Sequence, residues 1–238
     1  MIFEALRRMI RRSGLLYPLA QRIKGTYTDE EIPSDQTELV VTGYHRSANT
    51  FSLKLLQQLK PGIRIASHAH AVATLKIARK KGVKTIVLVR NPLDAVSSNV
   101  VRSQPSNAKQ QIKNARRLLA DYIDYYRYVK DHQDRCRILH FETVTKTPER
   151  LVEEVVRLGV MEPKDAETVR SAAGSVVGEL RAKDLPPDRL NIGGPDREAK
   201  KKAVKQILLE NPRFNRRLKL AEALYQAVSA HSPAAPSA

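Results

Sequence analysis

At 238 residues the chain can build one α/β domain with a substantial core but not two. Hydrophobic content of 42% and charged content of 28% are ordinary for a globular protein. The net charge of +17 and pI near 10.1 are not, and they draw anionic partners: nucleotides, sulfated or phosphorylated substrates, nucleic acid or an acidic membrane surface.

A single cysteine, Cys136, excludes an internal disulfide framework and reads as a small buried hydrophobe. No apolar run of about 20 residues is present to span a membrane, and the N-terminus lacks a signal peptide's apolar stretch. The expected location is the cytoplasm, with peripheral contact at the inner membrane surface as an option.

Residues 1–36 are expected to form a basic amphipathic helix and an acidic linker. Phe3, Leu6, Met9 and Ile10 recur at helical spacing, with Arg7, Arg8, Arg11 and Arg12 on the other side. Gly14 and Pro18 interrupt the pattern, and the acidic stretch Thr28 to Asp35, with Pro33, reads as the linker. Such a helix either lies on acidic lipid through residues 1–24 or packs on the domain with a solvated basic face. Packing is the simpler reading.

Residues 37–230 are expected to form the α/β domain. Leu39 to Gly43 is a strand, and a helix runs from the following loop to Leu59, where Lys60-Pro61-Gly62 breaks it. Ile63 to Ala66 reads as a second strand, with His68 and His70 just beyond its end. A helix through Val72, Leu75 and Ala78 stops at Gly82. Thr85 to Val89 is an unbroken β-branched run, the pattern of a strand buried on both faces of a parallel sheet.

Arg90-Asn91-Pro92 follows, with the proline suited to the first turn of a helix that carries Ser97 and Ser98. The pattern loosens near Gln104-Pro105-Ser106. A long helix then spans Asn107 to Lys130, where the spacing of Tyr122, Tyr125, Tyr126 and Tyr128 favours a packing face over base stacking. Arg137 to Phe141 reads as another strand, followed by a helix capped by Thr147 with Pro148 first and Gly159 last. A helical stretch reaches about Arg181, a Pro/Gly-rich loop covers Leu185 to Pro195, and one or two basic helices occupy Glu198 to Ser229 with a break near Asn211-Pro212. The Ser/Pro/Ala tail, 231–238, is expected to be disordered. Alternating strands and helices imply a single α/β domain, a central parallel sheet flanked by helices.

Ligands in such sheets bind beyond the carboxyl ends of the strands, where the Arg46 loop, His68 and Arg90 all fall. Strand, tight loop and helix N-terminus in succession make an anion site, because loop N–H groups and the positive helix end converge. Counted from Gly43, a nucleotide P-loop needs Gly-Lys-Ser/Thr where this chain has Ala48-Asn49-Thr50. The lysine for β- and γ-phosphates is missing, and Arg46 sits inside the loop instead. Arg90, with Ser98 two turns into the next helix, offers a fork and a hydroxyl to a second phosphate.

Tyr44-His45-Arg46-Ser47-Ala48-Asn49-Thr50-Phe51 resembles the 5′-phosphosulfate loop of the sulfotransferases that use 3′-phosphoadenosine 5′-phosphosulfate (PAPS). Val89 to Ser98 resembles their 3′-phosphate segment, with Arg90 and Ser98 on the two binding positions. Ser67-His68 falls where the cytosolic branch carries Thr-His, 22 residues before Arg90. Phe141-Glu142 resembles the family's Tyr-Glu-Asp strand, and the likeness covers about residues 39 to 160. Arg46 stands for the family's lysine, Ala48 for its glycine, Asn49 for a threonine and Phe51 for its tryptophan. The C-terminal Arg-Lys-Gly motif has its counterpart region at Arg189 to Gly194, with Arg189 and Gly193 carried over.

The resemblance implies a PAPS-dependent sulfotransferase. It would move a sulfuryl group in line to an acceptor hydroxyl or amine, releasing 3′-phosphoadenosine 5′-phosphate (PAP) and needing no metal. His68 is the implied base, with His70 as the alternative, and Arg46 stabilises the leaving phosphate together with the N–H groups of residues 47 to 51. Ser47 and Thr50 would hold the 5′-phosphate and Phe51 the purine, while Phe141 joins the cofactor site. The acceptor class stays open among small molecules, carbohydrates and lipids, as does the oligomeric state. Two other readings compete. One is a small-molecule kinase with a degenerate P-loop, disfavoured by Asn49 and by the lack of an acidic metal ligand after a strand. The other is a non-catalytic nucleic-acid-binding protein, for which only charge speaks, notably the Lys200-Lys201-Lys202 run.

Overall fold

A computed structural model of the chain describes residues 2–182 and 195–231. The polypeptide begins with two helices, α1 (Ile2–Arg12) and α2 (Leu16–Ile23). Gly14 lies between them. Pro18 does not interrupt α2 as expected, because it occupies the first turn, where its missing N–H has no helical partner to lose. The 28–35 segment runs against the domain: Ile32 and Pro33 are buried, and Ser67 N–H donates to Glu30 O at 2.6 Å.

The sheet and its helices follow as β1 (Leu39–Gly43), α3 (Asn49–Leu59), β2 (Ile65–Ala66), α4 (Val72–Lys81), β3 (Lys84–Val89), α5 (Pro92–Arg102), α6 (Ala108–Lys130) and β4 (Arg137–His140). After them come α7 (Phe141–Lys146), α8 (Glu149–Arg157), α9 (Ala166–Ala182), α10 (Pro195–Glu210) and α11 (Pro212–Ser229). The strands form one parallel sheet of order β2-β1-β3-β4.

Side chains alternate across the sheet. Val87, Val89 and Ile138 enter a core with α5, α6, α10 and α11, while Ile86, Leu88 and Leu139 enter another with α3, α8 and α9. Burial on both faces is what an unbroken β-branched strand provides. Helix ends follow their local chemistry. Asn91 Oδ1 accepts from Leu93 N–H at 2.9 Å before Pro92, and Gly82 closes α4 with φ +68°.

Two expectations fail at β4. The strand stops at His140, and Phe141 opens α7 rather than ending the strand; Val144 is buried on that helix and Thr145 Oγ1 donates to Phe141 O at 2.8 Å. Thr147 ends α7, so it does not cap α8 through its side chain; Pro148 holds that place. β2 is also shorter than expected, because Ile63 N–H turns back to Lys60 O at 3.2 Å.

Helix α1 packs on the domain, and its basic face, though still partly exposed, is engaged by carboxylates of α6. Arg7 reaches Asp121 at 2.7 Å, Arg8 forks onto Asp124 at 2.6 and 2.7 Å, and Arg12 joins the same carboxylate. Arg11 Nη2 donates to His70 O at 2.6 Å.

Gly43 faces Leu88 across the β1–β3 pairing so closely that a Cβ there would lie 2.3 Å from Leu88 O. Gly43→Ala should therefore destabilise the fold by about 3 kcal/mol, the upper end of overpacking costs. Gly174→Ala on α9, where a Cβ meets nothing within 4 Å, should stabilise by about 0.5–1 kcal/mol. Urea midpoints check both, and a Gly43→Ala protein of wild-type stability contradicts the close pairing.

Candidate functional site

The carboxyl ends of β1, β3 and β4 and the loop after β2 deliver the site. Between β1 and α3 the loop turns through left-handed conformations at Arg46 (φ +67°) and Ala48 (φ +68°), uncommon for residues bearing a Cβ. Ala48 is the N-cap of α3 and has no side-chain acceptor for the helix's first N–H groups. Those groups and the helix dipole face the loop.

The loop is held from beneath. Tyr44 N–H donates to Tyr126 Oη at 3.2 Å, Tyr126 donates onward to Leu88 O at 2.7 Å, and Asn49 Nδ2 donates to Tyr44 O at 3.2 Å. Tyr122 Oη donates to Arg90 O at 2.8 Å. The tyrosine face of α6 packs in the core as its spacing implies, and its phenols also fix both loops of the site.

Two arginines meet on Ser98, and a third braces the backbone of one of them. Arg46 Nε donates to Ser98 Oγ at 3.2 Å, Arg197 Nη2 to the same oxygen at 3.3 Å, and Arg90 Nη1 to Arg46 O at 2.7 Å. The Arg90 guanidinium lies 3.8 Å from the Phe141 ring centroid. Burial, and then the neighbouring Arg197, Arg102 and Arg90, push the Arg46 pKa down to about 9. Burial also lowers that of Arg90, against Asp94, Glu142 and Glu198. Both guanidiniums carry charge at neutral pH.

Arg197, in the first turn of α10, is 2% exposed and was not among the expected site residues. The only sequence signal for it is its place just after Gly193-Gly194-Pro195. Arg189 and Gly193 lie outside the described residues.

The loop residues divide. Ser47 and Asn49 are enclosed, with exposures of 0% and 4%, leaving Thr50 as the partly accessible hydroxyl. Phe51, expected against a purine, is buried in the core cluster that includes Leu55 and Val176. Phe141 is the ring that the structure brings to the arginines.

His68 and His70 follow β2, both at positive φ (67° and 46°). His70 Nδ1 is 2.7 Å from Gly43 O, an atom that can only accept, so this nitrogen carries the proton. Its ring lies 4.1 Å from that of His45 and 5.9 Å, edge on, from that of His68. Burial depresses all three histidines, His70 to about 3. For His68 burial comes first, opposed by Glu30 and reinforced by Arg102. Neutral imidazoles therefore sit beside fixed cations.

No family model and no curated protein matches the chain. Among solved structures it is similar to the mouse sulfotransferase SULT7A1 complexed with PAP. The TM-score is 0.57 over 86% of this chain and 92% of that one, at 14% identity. At that identity the likeness is one of fold: a single α/β domain whose parallel sheet is flanked by helices.

Proposed function

We propose that the chain is a sulfotransferase that uses PAPS and transfers its sulfuryl group in line to an acceptor hydroxyl or amine. The observation that carries this reading is the gathering of three arginines beside the α3 loop: Arg46 and Arg197 both donate to Ser98, and Arg90 donates to the Arg46 carbonyl. That arrangement offers two anion positions joined by one guanidinium, which suits a nucleotide with separate 3′ and 5′ groups. The shared fold with a PAP-bound sulfotransferase supports it.

The residues fit such a donor. Arg90 Nε, a donor, is buried without a hydrogen-bond partner beside the arginine cluster. The bound donor supplies an activated sulfur and a phosphate leaving group. Arg90, Arg197 and Ser98 hold the 3′-phosphate, and Phe141 presents its face beside them. The loop N–H groups and Thr50 hold the 5′ end, with Ser47 and Asn49 shaping the turn from within. Arg46 spans the two positions and offsets charge at the leaving oxygen. His68, neutral at physiological pH, takes the acceptor's proton. Binding energy collected at the remote 3′-phosphate is thereby available for positioning.

Thermal-shift titration is the first test. PAP should stabilise the protein without added metal, by about 2.7 kcal/mol at 100 times its dissociation constant. Arg90→Ala and Arg197→Ala should each weaken PAP by about 1.5–3 kcal/mol while hardly changing AMP, which lacks the 3′-phosphate. No shift with saturating PAP, or equal losses for both nucleotides, would refute the two-anion reading.

PAP release from PAPS, with a panel of hydroxyl and amine acceptors, tests the chemistry. His68→Gln should lower turnover by roughly 10²–10⁴ with PAP affinity intact, whereas Arg46→Ala should harm both. The base must be unprotonated, and a lowered pKa keeps it so further into acid. Activity should thus fall in acid at a lower pH than an ordinary imidazole near 6.5 would set. If His68→Gln turns over normally while a folded His70→Gln protein is dead, the base is His70 instead.

A further inference from the structure

We infer that the outer face of the α1–α2 hairpin is a docking surface for an anionic lipid bilayer, an inference independent of the sulfuryl-transfer reading. Leu6, Met9, Leu15, Leu16, Leu19 and Ile23 all point outward there. They are six of the eight large apolar side chains left exposed among the described residues, with Leu15 81% and Ile23 77% exposed. Contiguous apolar exposure of this kind marks a contact surface.

The face cannot be hidden by rolling the helix. Turning Leu6 and Met9 inward would break Arg7–Asp121 and the paired Arg8 and Arg12 contacts to Asp124. It would also remove Arg11 from His70 O. On α2, Tyr17 is the buried anchor, and the leucines lie opposite it. The arginines of α1 are thus engaged by the carboxylates of α6 and Ile10 packs toward Tyr17 and Ile32, while Leu6 and Met9 stay in solvent.

An open groove of about 1230 Å³ runs along this hairpin to α4. Its apolar lining includes Met9, Leu15, Ile32 and Ile77, and its cations include Arg22, Lys76 and Lys80, all three exposed. Asp35 is its one carboxylate, and it is paired with Lys81. Aliphatic side chains that can enter an acyl layer, rimmed by basic heads that stay at the phosphate level, match an anionic membrane interface. A second copy of the chain fits less well. A two-fold contact through this patch would set one basic rim against the other on two proteins of net charge +17.

Vesicle flotation with full-length protein tests the inference, comparing phosphatidylcholine alone with phosphatidylcholine containing phosphatidylglycerol. The wild type should bind the anionic vesicles and retain part of that binding in 1 M salt, where the Debye length is about 3 Å. Leu15→Ser/Ile23→Ser should weaken binding by about tenfold or more and remove the salt-resistant part. Lys76→Gln/Lys80→Gln should weaken it only at low salt. Both variants should keep the wild-type melting temperature because the altered side chains are exposed; if the double serine variant fails to fold, Leu15→Ser alone is scored the same way. The inference is overturned if binding is wholly salt-sensitive, or if the serine variant binds like wild type. It is also overturned if sedimentation velocity shows a dimer that the serine variant abolishes while vesicles are not bound.

Discussion

Mutual repulsion among Arg46, Arg90 and Arg197 is the constraint around which the rest of the structure is arranged. Two unit charges at contact cost from about 1 kcal/mol in water to about 4 kcal/mol at a protein surface. Three in a half-buried corner are tolerated only if other parts hold them. Arg90 is fixed by a phenol on its carbonyl and a ring under its guanidinium. Arg197 is carried by α10 where that helix packs on α5, and Arg46 sits in a loop whose strained turns are tied to Tyr126 and Asn49. An anion bound there would relieve the repulsion.

The same economy of charge runs through the N-terminus. Asp121 and Asp124 on α6 neutralise the arginines of α1. The tyrosines of α6 brace the carboxyl edge of the sheet. One helix thus serves as rear support for the site and as the seat of α1. Through Arg11 and the His70 carbonyl, α1 in turn touches the loop that holds both candidate bases.

The sheet was legible at β1 and β3 because their patterns are local, whereas the bounds of β2 and β4 were set by the turns around them. Thr85 to Val89 is buried on both faces whatever else surrounds it, and Gly82, Asn91 and Pro92 act within a few residues. The strand, loop and helix that carry Arg46 were legible for the same reason, being local patterns on consecutive elements. Arg197 was not, because its significance lies in a hydrogen bond to a residue 99 positions away. Nor was the orientation of α1. Periodicity tells which side chains share a face, but only the carboxylates of a helix more than 100 residues later decide which face turns inward. Phe51 and Phe141 differ likewise: both are aromatic near the loop, and tertiary packing sends one to the core and the other to the arginines.

The use of arginine at position 46, where the resembled family places lysine, follows from this environment. Burial and three cationic neighbours bring Arg46 to about 9, still safely charged at neutral pH. A lysine's ordinary pKa lies below arginine's, so arginine is the cation that keeps its proton more firmly under the same burial and repulsion. The planar fork can also span Ser98 and the loop, which a point charge on a flexible stem does less well. The price is bulk, and it is met in the backbone. Arg46 and Ala48 both adopt left-handed conformations to bring the guanidinium over Ser98 while keeping the α3 N-terminus open. With more cationic side chains gathered at this edge, the cation inside the loop has to be one that cannot readily give up its proton.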